Sequence, residues 1–357
     1  MTAATEASTA GRDAEDAVAH LVAGLRAERR SVRRRPAVTL AGVGAVVLIG
    51  FCAEILVGGT ADIGLAEIPG ALVGQGSGLA DFVIFETRLP RALTALLVGA
   101  LFGLSGVVCQ RLFSNVLATP DIIGVSAGAS AGAVAVLVGA GVGGLAVQAG
   151  AVLGAVAAAA LIFGLSRRGG ASTYRLVLVG IGVGACCSAI TSYLLTFADS
   201  TTSTRAMRWM IGSLAGARWD EVVVLAVVLG AAMAAVLLIG PDLETLRLGD
   251  LLSAALGTRV QAARVGVLLL GAPLAAIATS VAGPVAFIAL VAGPIAARLL
   301  ARSGPLPAAL VGAAVLLLAD VAAQTAPYVS PVPTGVLTGL IGAPVLVLLL
   351  LHRKADA

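Results

Sequence analysis

Two arginines on either side of a Leu-Pro step are the residues whose type and spacing most clearly suggest chemistry. Arg88 and Arg91 stand directly before a glycine-rich apolar run that is long enough to cross a bilayer, which takes about 20 residues. A guanidinium group at this position can bind carboxylates of a partner or reach lipid phosphates. Cations at a helix start oppose the helix dipole, so lipid anchoring alone explains the pair poorly. The residues alone therefore favour a carboxylate partner and leave lipid phosphates as the alternative.

The groups needed for catalysis or nucleotide hydrolysis are missing from the apolar part of the chain. The two histidines, His20 and His352, lie in the terminal tails, and Lys354 is the only lysine. The sequence has no Gly-x-x-x-x-Gly-Lys-Ser/Thr phosphate-binding loop, so the chain is not expected to hydrolyse ATP. The four cysteines lack metal-ligand spacing and are expected to be small buried hydrophobic residues. We expect no enzyme activity, no cofactor and no metal site.

The composition places these residues in a membrane. Of 357 residues, 59% are hydrophobic and 12% are charged, and the mean hydropathy is +1.04. A soluble domain has about 25% charged residues and could not cover so apolar a chain. Long apolar runs separated by short polar breaks favour helices over a β-barrel, and the 45 glycines fit closely packed membrane helices. The predicted fold class is an all-α integral membrane protein.

Ten apolar runs predict ten membrane crossings. They span residues 38–57, 89–108, 122–140, 146–165, 175–197, 221–239, 265–281, 284–300, 306–323 and 335–352. Residues 1–36 form a basic tail that ends in RAERRSVRRRP, and residues 37–357 form the transmembrane domain. The excess of arginine in the tail and in alternate loops predicts that both termini lie in the cytoplasm. The longest internal polar segment, residues 240–264, then falls on the cytoplasmic side.

Five segments, in the same order, resemble the permease subunits of type II ATP-binding-cassette (ABC) importers for iron–siderophores and vitamin B12. They are RLPR with QRLFSNVLATPDIIGVSAGA (from Arg88), RWMIGSLAG (from Arg208), LRLGDLLSAALG (from Leu246), GPVAFIALVAGPIAARLL (from Gly283) and GVLTGLIGAPVLVLLL (from Gly335). The resemblance implies the permease fold of those importers. The wording PDIIGVSAGAS is most similar to the ferric-siderophore branch. The implied function is import of ferric-siderophore complexes across the cytoplasmic membrane by alternating access.

The resemblance also implies roles for individual residues. Arg88 and Arg91 would dock an extracytoplasmic substrate-binding protein. The gate and the translocation path would include Asn115, Leu117, Ser126, Thr173 and Tyr174. The cytoplasmic segment that couples to the ATPase would include Leu246, Gly249, Asp250, Leu256 and Gly257. Two alternatives stay open: Asn115 caps the next helix, or the cytoplasmic segment lies on the inner leaflet.

The implied partners are two ABC ATPase subunits, a second permease subunit that is identical or homologous, the binding protein and the lipid bilayer. Vitamin B12 or haem is the alternative cargo. An ion-coupled secondary transporter is the alternative class, and Asp320 is its sole candidate for an intramembrane acid. Two positions depart from the family pattern. Gln324 stands where the family often has a third arginine, and the polar residue that commonly follows Gly293-Pro294 is replaced by Ile295.

Overall fold

A computed structural model describes residues 37–59, 63–64, 67–72, 76, 78–121, 124–166, 173–246, 248–300, 304–326 and 332–353. The basic tail at residues 1–36 lies outside these ranges. All the regular structure within them is helical.

Fourteen α-helices make up the described part of the chain. They are α1 Ala37–Val57, α2 Ile68–Leu72, α3 Gly78–Phe82, α4 Leu89–Leu112, α5 Val125–Gly139, α6 Leu145–Ser166, α7 Thr173–Thr196, α8 Ser200–Ile211, α9 Trp219–Leu246, α10 Asp250–Ala255, α11 Val260–Ala282, α12 Ile288–Leu300, α13 Pro305–Thr325 and α14 Thr334–Arg353. A π-helical turn, Val83–Arg88, joins α3 to α4. Seven described helices are long and apolar enough to cross a membrane, and α5, α12 and α14 contribute shorter apolar stretches. These ten helices correspond to the ten predicted crossings, which confirms the predicted fold class.

The boundaries differ from the prediction in three places. Helix α9 continues to Leu246 and is about 42 Å long at 1.5 Å per residue, so it outruns a hydrocarbon core of about 30 Å. Helix α12 begins at Ile288, because residues 283–287 are not helical. The polar segment after α7, which was not assigned a helix, contains α8. The Asp199 carboxylate caps α8 by accepting the backbone N–H groups of Thr201 and Thr202.

Helix α4 forms the centre of the bundle and is buried along almost its whole length. It packs against α9, α11, α12 and α13. Close approach to α13 depends on glycine, since a Cβ atom at Gly99 would lie 2.5 Å from the Gly312 carbonyl oxygen. Small residues let membrane helices approach in this way. Helices α1, α7 and α9 are mostly uncovered by the rest of the chain, which suits contact with lipid.

The helix bundle has two ends. We call them the Arg91 end and the Arg111 end, after an arginine that lies at each. At the Arg91 end, Ser213 N donates to Ala282 O (2.8 Å) and Gly335 N donates to Gly212 O (3.1 Å). These bonds join the ends of α8 and α11 to the start of α14. At the Arg111 end, α4 and α9 terminate together. The candidate functional residues divide between these two ends.

Candidate functional site

At the Arg91 end, Arg91 binds an acid that is buried inside the bundle. Its Nε donates to Asp320 Oδ2 (2.7 Å) and its Nη2 donates to Asp320 Oδ1 (2.9 Å), which is the paired geometry that guanidinium and carboxylate groups favour. The Arg91 side chain is 15% exposed and that of Asp320 is 0% exposed. This pair ties the first turn of α4 to the last turns of α13.

Three further side chains, those of Glu54, Gln324 and Thr334, join Arg91 and Asp320. We call these five residues the Arg91 network. Gln324 Nε2 donates to Glu54 Oε1 and also to Asp320 Oδ2 (3.1 Å), and its Oε1 accepts the Gly59 N–H (2.6 Å). Thr334 Oγ1 donates to Asp320 Oδ1. The network therefore links α1, α4, α13 and α14. Gln324, which departs from the family pattern, forms hydrogen bonds in this network through both its amide nitrogen and its amide oxygen.

Arg88 binds the backbone at the end of α1. Its Nη1 donates to the carbonyl oxygens of Ile55 (2.8 Å) and Leu56 (3.2 Å). These are among the last carbonyls of α1, which no later turn of that helix can satisfy, and a cation there also complements the helix dipole. Only 4% of Arg88 is exposed. The guanidinium group caps α1 from the π-helical turn.

These contacts bear on the predicted docking role without testing it. Both Arg88 and Arg91 have acceptors within the chain, so binding a partner's carboxylate would require each to exchange an internal acceptor. Glu54 and Thr334 were not predicted as partners of this site. Asp320, the candidate intramembrane acid of the sequence, bonds to the helix ends on which Arg91 and Thr334 lie.

At the Arg111 end, the turn between α4 and α5 is held by its own side chains. Asn115 Oδ1 accepts the Leu117 N–H (3.0 Å), a local turn of the kind that asparagine favours. Asn115 is exposed and Leu117 is half-buried. The alternative in which Asn115 caps the next helix is not what the structure shows, since the N-cap of α5 is Gly124.

The other predicted gate residues are not brought into one described cluster. Ser126 is buried, and its hydroxyl donates to the Asp121 carboxylate. Burial raises the pKa of Asp121, and the Ser126 hydroxyl partly offsets that rise. Tyr174 is 78% exposed in the first turn of α7. Thr173 begins α7, and its side chain lies outside what the structure describes. The gate role of these residues remains a prediction.

The segment after α9 is a short helical unit that projects from the bundle. Gly249 and Gly257 both have φ +88°, a left-handed conformation that suits glycine, and they bracket α10. Ser253 Oγ bonds to Thr245 O (2.6 Å) and Gly249 O (2.7 Å), which folds α10 back on the end of α9. Asp250 begins α10, and its side chain lies outside the described part. The two glycines therefore delimit α10 as a short separate helix.

Four leucines of this unit form an uncovered apolar surface. Leu251 is 89% exposed, and Leu248, Leu252 and Leu256 are also exposed. Leu246 is not part of this surface, because it is buried in the main core at the end of α9, and its coupling role stays a prediction. We call the four exposed residues the α10 surface. An exposed apolar patch of this kind marks an interaction site.

A hydrogen bond missing inside α12 is replaced by a side chain from α4. Pro294 has no N–H, so the Leu290 carbonyl four residues earlier lacks its helical donor. Gln110 Nε2 donates to Leu290 O (3.0 Å) and Ala289 O (3.3 Å). Gly293 makes room for this amide, since a Cβ atom there would lie 2.2 Å from Gln110 Oε1. Gln110 therefore substitutes for the hydrogen bond that Pro294 removes.

Two cavities lie between the helices. One of about 330 Å³ is at the Arg91 end and is lined by Thr94, Gln148, Arg205, Trp209 and Glu221, among others. The other, of about 410 Å³, is apolar and lies between α6 and α11, with Cys109 in its wall. Within the described ranges, no three His, Cys, Asp or Glu side chains are grouped so as to hold a metal ion.

Comparisons with known proteins agree with this architecture. The model of the FecCD transport family matches residues 46–352. The chain is 36% identical over 298 residues to the ferric enterobactin transport system permease protein FepG of Escherichia coli (strain K12), covering 83% of this chain and 90% of that protein. It is 35% identical over 277 residues to the vitamin B12 import system permease protein BtuC of Klebsiella pneumoniae, covering 76% and 83%.

A solved structure shows the same fold. It is described as an inward-facing conformation of a metal-chelate type ABC transporter, and its chain superposes with a TM-score of 0.78 at 28% identity, covering 89% of this chain and 99% of that one. The fold and its relatives define a permease subunit of the ABC importer class, a multi-pass protein of the cytoplasmic membrane. The chain belongs to the FecCD transport family. The predicted family resemblance is thereby confirmed.

Proposed function

We propose that this chain is the permease subunit of an ATP-driven importer that carries ferric-siderophore complexes across the cytoplasmic membrane. The α10 surface is the observation that carries the ATP-driven part. Four exposed leucines on a short projecting unit need a partner, and a FecCD permease without its own phosphate-binding loop needs an ATPase. The cargo is supported by the relative that transports ferric enterobactin.

The Arg111 end then faces the cytoplasm and the Arg91 end faces outward. Both termini are cytoplasmic in this arrangement. Two ATPase subunits bind the α10 surfaces of two permease subunits, which are identical or homologous. ATP binding moves α10, and the movement reaches α9 and α4 through the contacts at the Arg111 end. Alternating access follows from closing one end of the path while the other opens.

The gate and the docking face complete the proposal. Asn115, Leu117, Ser126, Thr173 and Tyr174 line the path near the Arg111 end and close it by packing of small polar and apolar groups. The substrate-binding protein docks at the Arg91 end. Docking through Arg88 and Arg91 would exchange their internal acceptors for carboxylates of the binding protein.

The secondary-transporter alternative is disfavoured by the surroundings of Asp320. An acid that carries a coupling ion must be able to release its cationic partner, whereas Asp320 accepts from Arg91, Gln324 and Thr334 at once. Vitamin B12 remains the second candidate for the cargo, because the relative that imports it is about as similar to this chain as the enterobactin permease.

The test is uptake by vesicles that contain the permease with its ATPase subunits and binding protein. Radiolabelled ferric enterobactin and cyanocobalamin are offered in parallel. We expect uptake of the ferric complex that stops with vanadate and persists when ionophores collapse the ion gradients. Uptake that follows a proton or sodium gradient without ATP would overturn the ATP-driven assignment. Uptake of cyanocobalamin alone would replace the cargo.

A further inference from the structure

Two buried carboxyl groups share one cation in the Arg91 network. Glu54 is 1% exposed and Asp320 is 0% exposed. Asp320 is fully supplied with donors: two from Arg91, one from Gln324 and one from Thr334. Those bonds suit an ionised carboxylate, which accepts on both oxygens.

Glu54 has a different environment. Its Oε1 accepts from Gln324 Nε2 and lies 3.5 Å from Arg91 Nε. Its Oε2 is buried and has no hydrogen-bond partner among the described residues. An ionised Glu54 would therefore be a buried anion with half of its acceptor capacity unused, which is costly.

The Glu54 and Asp320 carboxyl groups are neighbours, because they share two donors. Gln324 Nε2 donates to both Glu54 Oε1 and Asp320 Oδ2, and Arg91 Nε lies 3.5 Å from the first oxygen and 2.7 Å from the second. Two ionised carboxylates can only accept, so a bond between them needs a proton on one. The donors around Asp320 leave Glu54 as the group that carries it. Arg91 then balances Asp320. Arg88, the other cation nearby, is directed at the Ile55 and Leu56 carbonyls.

We propose that Glu54 is a buried proton-binding site and stays a neutral carboxylic acid in the folded protein. Its O–H donates to Asp320, and its carbonyl oxygen accepts from Gln324. The proton adds a link between α1 and α13 without a second buried charge, so the Arg91–Asp320 pair stays intact. Asp320 is the ionised member of the pair and acts as the positioning residue for Arg91.

The proposal predicts opposite responses to the same chemical change at the two acids. Glu54→Gln replaces a neutral acid with a neutral amide of similar shape, which can still donate to Asp320 and accept from Gln324. It should keep the wild-type melting temperature of the purified full chain in detergent. Asp320→Asn leaves Arg91 without its counter-ion and should clearly lower the melting temperature. Glu54→Ala, which removes the link altogether, should also lower it.

Infrared spectroscopy gives a signature that packing alone would not produce. The C=O stretch of a protonated carboxyl group at neutral pH should be present in the wild-type chain and absent from Glu54→Gln. Glu86→Gln, at an exposed acid close to the same end, is the matched control and should leave that band unchanged. Isotopic labelling of glutamate should shift the band.

The result that overturns the proposal is a band that shifts with glutamate labelling and that Glu54→Gln does not remove. A melting temperature of Glu54→Gln as low as that of Asp320→Asn would also overturn it, because it would mean that Glu54 is ionised. Neither readout requires the ATPase, the binding protein or the cargo. The proposal therefore stands or fails separately from the proposed transport function.

Discussion

The two ends of this permease use their polar and apolar groups in opposite ways. At the Arg91 end, acidic and basic side chains are buried and bind one another within the chain, and the Arg91 network ties four helices together. At the Arg111 end, the chain leaves four leucines uncovered on and beside α10. Breaking a buried ion pair lowers the stability of the folded chain. Altering an exposed apolar surface changes that stability very little and instead affects the binding of a partner. One end is therefore built for internal cohesion and the other for association.

The largest expected effect on stability comes from breaking the ion pair at the Arg91 end. Arg91→Met leaves Asp320 as an uncompensated buried anion and should cost about 3–5 kcal/mol of unfolding free energy. Combining Arg91→Met with Asp320→Leu removes both charges and should recover most of the loss. Denaturant unfolding in a defined detergent measures both. If the double variant were as unstable as the single one, the loss would come from packing and not from an unpaired charge.

A smaller loss is expected at the contact between α4 and α12. Gln110→Ala leaves the Leu290 carbonyl without a donor, which should cost about 1–3 kcal/mol. Pro294→Ala restores an N–H four residues after Leu290, so the double variant should be more stable than Gln110→Ala alone. A double-mutant cycle on unfolding free energies isolates this coupling. Additive losses would show that Gln110 does not substitute for the missing helical bond.

The smallest loss of stability is expected from a change of carboxylate to amide at the Arg111 end, which can be compared with Asp320→Asn at the Arg91 end. Glu244 pairs with Arg111 (3.0 Å), and the Glu244 side chain is 57% exposed. Glu244→Gln should therefore cost about 1 kcal/mol or less, because water screens an exposed partner. Asp320→Asn should cost several times more under the same conditions. Equal losses would remove the contrast between the ends.

The sequence predicted the crossings well because each one is a local property of an apolar run. Helix α8 was missed although Asp199 followed by Ser200 and Thr201 is a recognisable N-cap signal, because the segment's polarity argued for a loop. The start of α12 was placed too early. Residues 283–287 are not helical, and Gly283 lies against Trp209 and Gly212 at the end of α8, a long-range contact that an apolar run does not reveal.

The partners of the site could not be read from the sequence for a different reason. Arg91 and Asp320 are separated by 229 positions, and Glu54 meets Gln324 across 270. Neither the residue type nor its spacing distinguishes an arginine that binds an acid within the chain from an arginine that binds a partner protein. The resemblance to the family suggested binding to a partner protein, and the structure supplies acceptors within the chain for both Arg88 and Arg91. Leu246 illustrates the same limit, because a leucine's position in a polar segment does not reveal that α9 carries it into the core.

The most direct test of the account is ATP-driven uptake by the assembled importer carrying Leu251→Glu and Leu252→Glu. Leu238 in α9 is exposed as well but belongs to a membrane-spanning helix, so Leu238→Ala serves as the control at a leucine outside the α10 surface. The account predicts that the α10 variant keeps the melting temperature of the isolated chain while losing association with the ATPase and nearly all uptake of the ferric complex. Uptake at the wild-type rate by that variant would contradict the claim that this surface receives the energy of ATP hydrolysis.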